Sequence, residues 1–244
     1  MNKPSNITNN DWKLLTKKYK KLDQVKALLD LNYPVQYLIG DVDFYGNKIL
    51  VNKNVLIPRF ETETLVEKTI NYIKKYLPED VSVLELGTGS GCIPITLKKE
   101  LPNLKITAID KSRKALSVAK RNAYNNECDI TFIKRDMKKF KPINKYSVLI
   151  SNPPYIAFDE SIDPKCDYEP KMALYADNKG LEFYDFILNN YDKYMEDKFI
   201  MAFEIGYQQG SYLKKLAKSK YPEAKITIEK DLAGKDRYLF IINM

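Results

Sequence analysis

The sequence predicts an α/β fold in which helices cover both faces of a mostly parallel β-sheet. From residue 82 onward, strand-like runs alternate with helix-like runs, and the connections between them are short. Parallel strands joined in this way are buried on both faces. The last two strand-like runs, 224–230 and 237–243, have no helix between them, so the final strand must turn back antiparallel beside its predecessor.

The chain ahead of this sheet divides into two predicted segments. Residues 1–33 form a short helical segment of one or two helices, because leucine and valine recur at helical spacing from Leu14 to Leu29. Residues 34–60 form a linker and a β-hairpin, in which Gly46 and Asn47 separate two strand-like runs. Residues 61–244 are the main domain, which opens with a helix.

The main domain is predicted to contain seven strands. They span 82–86, 105–110, 129–134, 146–151, 198–205, 224–230 and 237–243, and the helices between them begin near Ser90, Ser112, Gly180 and Tyr212. In such a sheet the ligand binds at the carboxyl ends of the strands, where the connecting loops converge.

Composition restricts the chemistry of the 244-residue chain. It contains no histidine, which excludes Ser-His-Asp and Cys-His nucleophile systems, HExxH metalloprotease chemistry and the 2-His-1-carboxylate iron site. Cys92, Cys128 and Cys166 form no CxxC pair, so we expect neither a zinc ribbon nor a redox pair. The net charge of +8 favours polyanionic partners, although an ordinary solvated surface is the simpler explanation. The polar N-terminus predicts a cytoplasmic protein.

A glycine-rich turn at residues 87–91 predicts a cofactor site. Gly87, Gly89 and Gly91 alternate between a strand that carries Glu85 near its end and the start of a helix. Glycine is needed where the backbone approaches a ligand closely. Asp110 ends the next strand, where a carboxylate can accept both hydrogen bonds of a ribose diol. Together these residues indicate a cofactor that contains adenosine.

The glycine spacing resembles the first motif of the class I S-adenosylmethionine methyltransferases. Dinucleotide-binding domains have G-x-G-x-x-G, whereas this chain has G-x-G-x-G behind an acidic residue. The resemblance implies a Rossmann-like, seven-stranded sheet with an antiparallel last strand, and it assigns Glu85 to the methionine amino group. In the same pattern Asp136 meets the adenine amino group and Met137 packs against the ring, although an acid at a strand end is often a cap.

A second motif, Asn152-Pro153-Pro154-Tyr155, directly follows the predicted strand 146–151. The two prolines fix φ and remove two backbone donors, which leaves carbonyl oxygens free to accept from a ligand. The Asn152 amide carries a donor pair and an acceptor in one plane. These groups can hold a planar NH2 group while Tyr155 covers its π-face, which indicates methylation of an amino group conjugated to a π-system. A nucleobase amine and a glutamine amide both qualify, and the motif alone does not separate them.

Several runs beyond these motifs resemble the protein-(glutamine-N5) methyltransferases of the HemK/PrmC family. They are PVQYLIGDVDFYG (34–46), VLIPRFETE (55–63), NPPYI (152–156), GLEFYDFIL (180–188), FEIGYQQG (203–210) and DLAGKDR (231–237). Two features depart from the family pattern. Phe60 stands where the family usually has proline, and the family's N-terminal helical domain is usually larger than residues 1–33.

The resemblance implies a detailed function. We expect S-adenosyl-L-methionine as the methyl donor, S-adenosyl-L-homocysteine as the product, and no metal. The implied acceptor is the glutamine of the Gly-Gly-Gln loop in peptide chain release factors. The implied catalytic residues are Asn152, Pro153, Pro154 and Tyr155, and the implied cofactor contacts are Glu85, Gly87, Thr88, Gly89, Ser90, Gly91, Asp110, Asp136, Met137 and Asn152. We expect a monomer whose partner is the release factor, without a membrane partner and without any requirement for direct nucleic-acid binding.

Three other classes of protein could share part of this sequence pattern. An adenine-N6 nucleic-acid methyltransferase would use the same Asn-Pro-Pro-Tyr site, but no segment outside the core resembles a base-reading domain. A non-catalytic adenosine-binding scaffold would be expected to lose either the glycine turn or the Asn-Pro-Pro-Tyr motif, and both are intact. A dehydrogenase fits worse, because its third glycine would be misplaced.

Overall fold

The computed structural model describes residues 3–4, 7–78 and 80–244. Its strands are β1 (Asp41–Phe44), β2 (Asn47–Leu50), β3 (Ser82–Leu86), β4 (Lys105–Asp110), β5 (Thr131–Lys134), β6 (Tyr146–Ser151), β7 (Met195–Glu204), β8 (Lys225–Lys230) and β9 (Asp236–Asn243). β1 and β2 form a separate hairpin, and the other seven described strands form one sheet in the order β5-β4-β3-β6-β7-β9-β8. β3 to β7 run parallel, whereas β9 is antiparallel to both of its neighbours. The predicted fold class, including its reversed last strand, is confirmed.

The first three described helices, α1 (Asn9–Lys18), α2 (Asp23–Asp30) and α3 (Val35–Ile39), form a cluster apart from the seven-stranded sheet. On one face of the sheet lie α4 (Phe60–Tyr76), α5 (Cys92–Glu100) and α6 (Arg113–Asn125), and on the other lie α8 (Glu182–Asn190), which follows the short α7 (Asp177–Gly180), and α9 (Gly210–Lys220). Successive strand residues face opposite sides, so Val83 joins the core formed with α4, α5 and α6, and Leu84 joins the core formed with α8 and α9. No helix in the described ranges is both long and apolar enough to cross a membrane.

The predicted N-terminal helical segment consists of two helices, α1 and α2. The segment after Pro34, predicted to be a linker, instead forms the helix α3. This helix is capped by Gly40, whose φ of +91° is left-handed. The three helices share a small core of their own, made of Ile7, Leu15, Val25, Leu29, Val35, Leu38 and Ile39. Residues 1–2 and 5–6 of the predicted segment lie outside the described residues. The domain limits at 33 and 60 stay predictions.

The predicted hairpin is present, but its turn lies one residue earlier than expected. Asn47 belongs to β2 and pairs with Phe44, so the turn residues are Tyr45 and Gly46, with φ of +51° and +74°. A two-residue hairpin turn with left-handed backbone at both positions matches the twist of its strands. Asn122 of α6 then ties β2 to the glycine turn, because its side chain bonds the backbone of both segments.

The chain between β6 and α8 contains structure that the sequence did not predict. Residues 156–176, called the wall segment below, are folded by a backbone bridge between Ile156 and Tyr175 and by two short 3₁₀ turns. α7 is a left-handed turn, with φ of +52° and +55° at its two central residues. The helix predicted from Gly180 therefore begins at Glu182.

Candidate active site

A cavity of about 500 Å³ opens at the carboxyl ends of the parallel strands. Its volume lies within the range of small-molecule and cofactor sites. The glycine turn, the ends of β4 and β5, the Asn-Pro-Pro-Tyr motif and the wall segment all contribute to its lining. Among the predicted site residues, the lining includes Gly87, Gly89, Asp110, Asp136, Met137, Asn152 and Pro154. Two motifs that are far apart in the sequence therefore face one cavity.

The glycine turn has a backbone that glycine adopts more readily than any other residue. Gly87, Gly89 and Gly91 have φ of +78°, +55° and +82°. A Cβ at Gly91 would lie 3.1 Å from the Cβ of Ala119 in α6, so the turn is packed tightly from below. A Cβ at Gly89 would have no neighbour within 4 Å, so this part of the backbone is open to the cavity. A ligand can therefore approach the turn closely at Gly89.

Asp110 ends β4 at the edge of the cavity, and the backbone fixes its carboxylate. The Gly89 N–H donates to Oδ2 at 2.9 Å, and the Ser112 N–H donates to Oδ1 at 2.7 Å. Burial raises the pKa of Asp110, and these backbone hydrogen bonds oppose the shift. Each oxygen has a second lone pair beyond these bonds, so the carboxylate can still accept two hydrogen bonds from a diol.

Asp136 and Met137 follow β5 on the adjacent side of the cavity. Oδ1 of Asp136 accepts from the Lys138 N–H at 3.0 Å, and Oδ2 lies 3.3 Å from the Lys111 ammonium. Burial alone would raise the pKa of Asp136, but these two partners lower it below its ordinary value. Met137 is buried, and its Cε would lie 3.5 Å from a Cβ at Gly87. Asp136 caps a turn and not a helix, because the chain continues through a loop into β6.

Glu85, Thr88 and Ser90 lie beneath the cavity and not on its surface. All three are buried, and Glu85 is only 1% exposed. Within the described part of the chain, neither carboxylate oxygen of Glu85 has a hydrogen-bond partner. Burial raises the pKa of Glu85 to about 8. A buried carboxylate without a partner is costly, and a cationic ligand group would offset that cost. The predicted cofactor contacts of these three residues stay predictions.

We expect Glu85→Gln to stabilise the ligand-free protein increasingly as the pH rises from 4.5 to about 8. The folded pKa of Glu85 lies above the unfolded value of 4.5, so folding holds a proton that the unfolded chain has already lost, and wild-type stability falls across that window. Glutamine does not ionise and avoids this loss. Urea unfolding measures the difference, with Glu100→Gln, an exposed change at the end of α5, as the control. The same pH dependence in wild type and Glu85→Gln would contradict the buried ionisation.

The Asn-Pro-Pro-Tyr motif lies between the cavity and the interior of the sheet. Asn152 and Pro154 line the cavity, while Pro153 is buried and the Tyr155 ring packs against the core under α8. The Tyr155 hydroxyl donates to the Glu204 carboxylate at 3.2 Å. Burial raises the pKa of Tyr155, and the charge of Glu204 raises it further. The Tyr155 side chain is therefore fixed by its hydrogen bond to Glu204 and by packing on the core. Its predicted contact with an acceptor group stays a prediction.

Several polar residues that support the motif from behind were not among the site residues predicted from the sequence. Gln209 donates to the Tyr155 carbonyl at 3.0 Å, and Thr62 donates to Glu204 at 2.6 Å. These partners come from the VLIPRFETE and FEIGYQQG runs, so the family-like runs were the available signal. Nothing in the spacing of either run indicates which of its side chains turn inward.

An ion pair joins the 55–63 run to the wall segment. Arg59 pairs with the buried carboxylate of Glu169, which also accepts from the Ile57 N–H at 2.8 Å. Arg59 donates in addition to the Ile57 carbonyl at 2.9 Å. Phe60, the departure from the family's proline, is 61% exposed. The wall of the cavity is therefore fastened to the start of α4, where Thr62 lies.

The sheet order, the reversed last strand and the glycine turn beside the cavity define a class I S-adenosylmethionine-dependent methyltransferase fold. Residues 62–163 match the Methyltransferase small domain family. The release factor glutamine methyltransferase of Enterococcus faecalis is 41% identical over 220 residues, which cover 89% of this chain and 78% of that protein. The release factor glutamine methyltransferase of Lactococcus lactis is 37% identical over 238 residues, which cover 96% of this chain and 84% of that protein. This chain belongs to the release factor glutamine methyltransferase family.

Solved structures agree on the fold. A methyltransferase from Pyrococcus furiosus matches with a TM-score of 0.60 at 17% identity, covering 92% of this chain and 100% of that one. A protein-(glutamine-N5) methyltransferase (release factor-specific) from Alicyclobacillus acidocaldarius matches with a TM-score of 0.51 at 24% identity, covering 79% and 98%. These identities are low, so the structural likeness concerns the fold.

Proposed function

We propose that this chain transfers a methyl group from S-adenosylmethionine to the side-chain amide nitrogen, N5, of a glutamine in a peptide chain release factor. The relatives that place it in its family are named release factor glutamine methyltransferases. The observation that carries the proposal for this chain is that the Asn-Pro-Pro-Tyr motif and the glycine turn line the same cavity. The family resemblance assigns the acceptor glutamine to a Gly-Gly-Gln loop.

The residues around the cavity suit S-adenosylmethionine. Asp110 retains acceptor capacity for the ribose hydroxyls, and the unpartnered Glu85 carboxylate matches the ammonium group of the methionine part. Asp136 is an acceptor for the adenine amino group, and Met137 offers an apolar surface beside Gly87. Bound S-adenosylmethionine supplies a methyl group on a positively charged sulfur, and S-adenosylhomocysteine is the product.

The chain's own residues contribute orientation and exclusion of water. A glutamine amide nitrogen is a poor nucleophile, because its lone pair is delocalised into the carbonyl, and this chain has no histidine to act as a base. We assign Asn152 Oδ1 and the Pro153 carbonyl as acceptors for the two N–H bonds of the acceptor amide. When both N–H groups are held by acceptors, the π-face of the nitrogen is free to bond to the methyl carbon as the bond from that carbon to sulfur breaks. The methylated nitrogen then loses one of its two protons to solvent.

The family also supports the identity of the partner. We expect a folded release factor to be a better substrate than a short glutamine peptide, because ordering a flexible peptide costs conformational entropy. Cationic side chains at the cavity, including Lys53, Lys111, Lys114 and Arg135, supply a positive field that attracts acidic partners and weakens with salt. We propose a monomer that acts in the cytoplasm, where release factors work.

We expect methyl-labelled S-adenosylmethionine to label an intact release factor and to leave its Gln→Ala loop variant unlabelled. The physical reason is that the alanine variant lacks the amide nitrogen. Mass spectrometry locates the label on the glutamine. Adenine-containing DNA and RNA, incubated in parallel, test the adenine-N6 alternative. Equal labelling of both release-factor forms, or labelling of nucleic acid alone, would reject the proposed acceptor.

A further inference from the structure

A chain of hydrogen bonds runs from the cavity into the interior behind it. Asn152 Nδ2 donates to Thr62 Oγ1 at 3.1 Å, and Thr62 Oγ1 donates to Glu204 Oε2 at 2.6 Å. Asn152 lines the cavity, whereas Thr62 and Glu204 are only 3% and 1% exposed. Thr62 lies in the first turn of α4, and Glu204 is the last residue of β7. These three residues are called the amide relay below.

The Glu204 carboxylate sets the direction of each bond in the amide relay. It accepts from two hydroxyls, because Tyr155 donates to its other oxygen, Oε1, at 3.2 Å. Arg237 Nη1 lies 3.5 Å from the Tyr155 hydroxyl and places a positive charge nearby. Burial raises the pKa of Glu204 above its ordinary value, although Thr62, Arg237 and Tyr155 act to lower it. Two hydroxyl donors and a nearby guanidinium favour the ionised carboxylate, which can only accept.

The direction of these bonds determines which end of the Asn152 amide is free. A threonine hydroxyl has one proton, and Thr62 gives it to Glu204, so the Thr62 oxygen can only accept from Asn152. Asn152 must therefore present its Nδ2 to Thr62, which leaves its Oδ1 as an acceptor without a partner in the amide relay. If the Asn152 amide were flipped, its NH2 group would face the incoming NH2 group, and neither could accept a hydrogen bond from the other.

Two further contacts hold the residues around Glu204: a hydrogen bond to its backbone carbonyl, and an ion pair that fixes Arg237. The Tyr184 hydroxyl donates to the Glu204 carbonyl at 2.6 Å. Arg237 Nε donates to Asp231 Oδ2 at 3.2 Å. Because these bonds do not involve Thr62, removing the Thr62 hydroxyl deletes its two hydrogen bonds, to Asn152 and to Glu204, and leaves the surrounding bonds in place.

We propose that Thr62 and Glu204 are positioning residues that hold the Asn152 side-chain amide with its oxygen toward the acceptor NH2 group. The proposal rests on the proposed function, because an amide oxygen in this place serves an acceptor that carries N–H donors. Neither Thr62 nor Glu204 lines the cavity, so both act through Asn152. Their effect belongs mainly in kcat, since orientation of the reacting nitrogen contributes to the transfer step.

Thr62→Val and Thr62→Ser separate the hydroxyl from the shape of the side chain. Valine keeps the shape and cannot accept from Asn152, whereas serine keeps the hydroxyl. We expect Thr62→Val to lower kcat for the release factor about tenfold, the rate equivalent of one hydrogen bond, with unchanged affinity for S-adenosylhomocysteine. Thr62→Ser should retain most of kcat. Full kcat in Thr62→Val, or an equal loss in Thr62→Ser, would overturn the proposal.

Glu204→Gln tests the direction of the bonds. The glutamine amide can donate to Thr62, which then has a proton available for the Asn152 oxygen and favours the flipped amide. We expect kcat to fall in Glu204→Gln, and we expect the double variant with Thr62→Val to be no slower than the slower single variant. Additive losses would mean that the two residues act independently, which contradicts the amide relay.

A measurement without any acceptor separates this proposal from the proposed function. The NMR signal of the Asn152 side-chain NH2 group, assigned by its loss in Asn152→Ala, reports the bond to Thr62. We expect this signal to shift in Thr62→Val and to stay in place in Thr62→Ser. If wild-type protein fails to label the release factor, the proposed function fails and the NMR signal decides on the amide relay. An unshifted signal in Thr62→Val would then reject the relay itself.

Discussion

Replacing Asn152 by alanine is expected to lower kcat by about 10²–10³ and to change cofactor affinity much less. The substitution deletes the amide oxygen that we assign to one N–H of the acceptor, and that contact matters most while the nitrogen is being aligned for transfer. The amide of Asn152 lies on the cavity surface, so its loss changes the site directly. Single-turnover methyl transfer measures the rate, and calorimetry with S-adenosylhomocysteine measures the affinity.

Asn144→Ala is the matched control for this experiment. Asn144 is an exposed asparagine shortly before β6, whereas Asn152 directly follows the other end of the same strand. We expect its rate to equal that of the wild type. Turnover near normal in Asn152→Ala would mean that the Asn-Pro-Pro-Tyr motif has only a structural role.

Gly180→Ala is expected to destabilise the protein by about 1–3 kcal/mol more than an alanine in open space, and to reduce methyl transfer. A Cβ at Gly180 would lie 2.0 Å from the Tyr155 carbonyl oxygen and 2.7 Å from Gln209 Nε2. The Tyr155 backbone must therefore move, and it belongs to the motif that lines the cavity. Urea unfolding and the rate of release-factor labelling measure the two effects.

Gly234→Ala controls for the backbone strain in this comparison. Gly234 has φ of +74°, close to the +79° of Gly180, but a Cβ there would have no neighbour within 4 Å. Both variants therefore carry similar left-handed strain, and only Gly180→Ala adds a collision. Equal destabilisation by the two variants would show that the contact with Tyr155 does not constrain the motif.

The fold could be predicted because its signals are local. The periodicity of 82–86 and 105–110 marks buried strands, and the absence of a helix between 230 and 237 requires a reversed last strand. The errors were local as well. The hairpin turn shifted by one residue because Tyr45, which carries no turn signature, adopts left-handed backbone beside Gly46. The helix predicted from Gly180 begins only at Glu182, because Asn178 and Lys179 adopt left-handed backbone just before it.

The candidate site was predictable only where its residues are close in the chain. The glycine turn and the Asn-Pro-Pro-Tyr motif are short, contiguous signals, and the structure places both on one cavity. The amide relay joins Thr62 to Glu204 across 142 residues and to Asn152 across 90, so no window of sequence contains it. Such contacts depend on which strand ends meet at the sheet edge, and this is a property of the tertiary fold.

The insertion of β9 between β7 and β8 has a consequence for newly made molecules. The edge of β7 that β9 covers is synthesised first, and it has no partner until residues 236–243 follow. At translation speeds of about 5–20 residues per second, this delay is on the order of seconds. An open strand edge invites association with other chains during that time. Arg237 arrives on the same strand, so the nascent protein completes its sheet and the charged surroundings of Glu204 in a single late step.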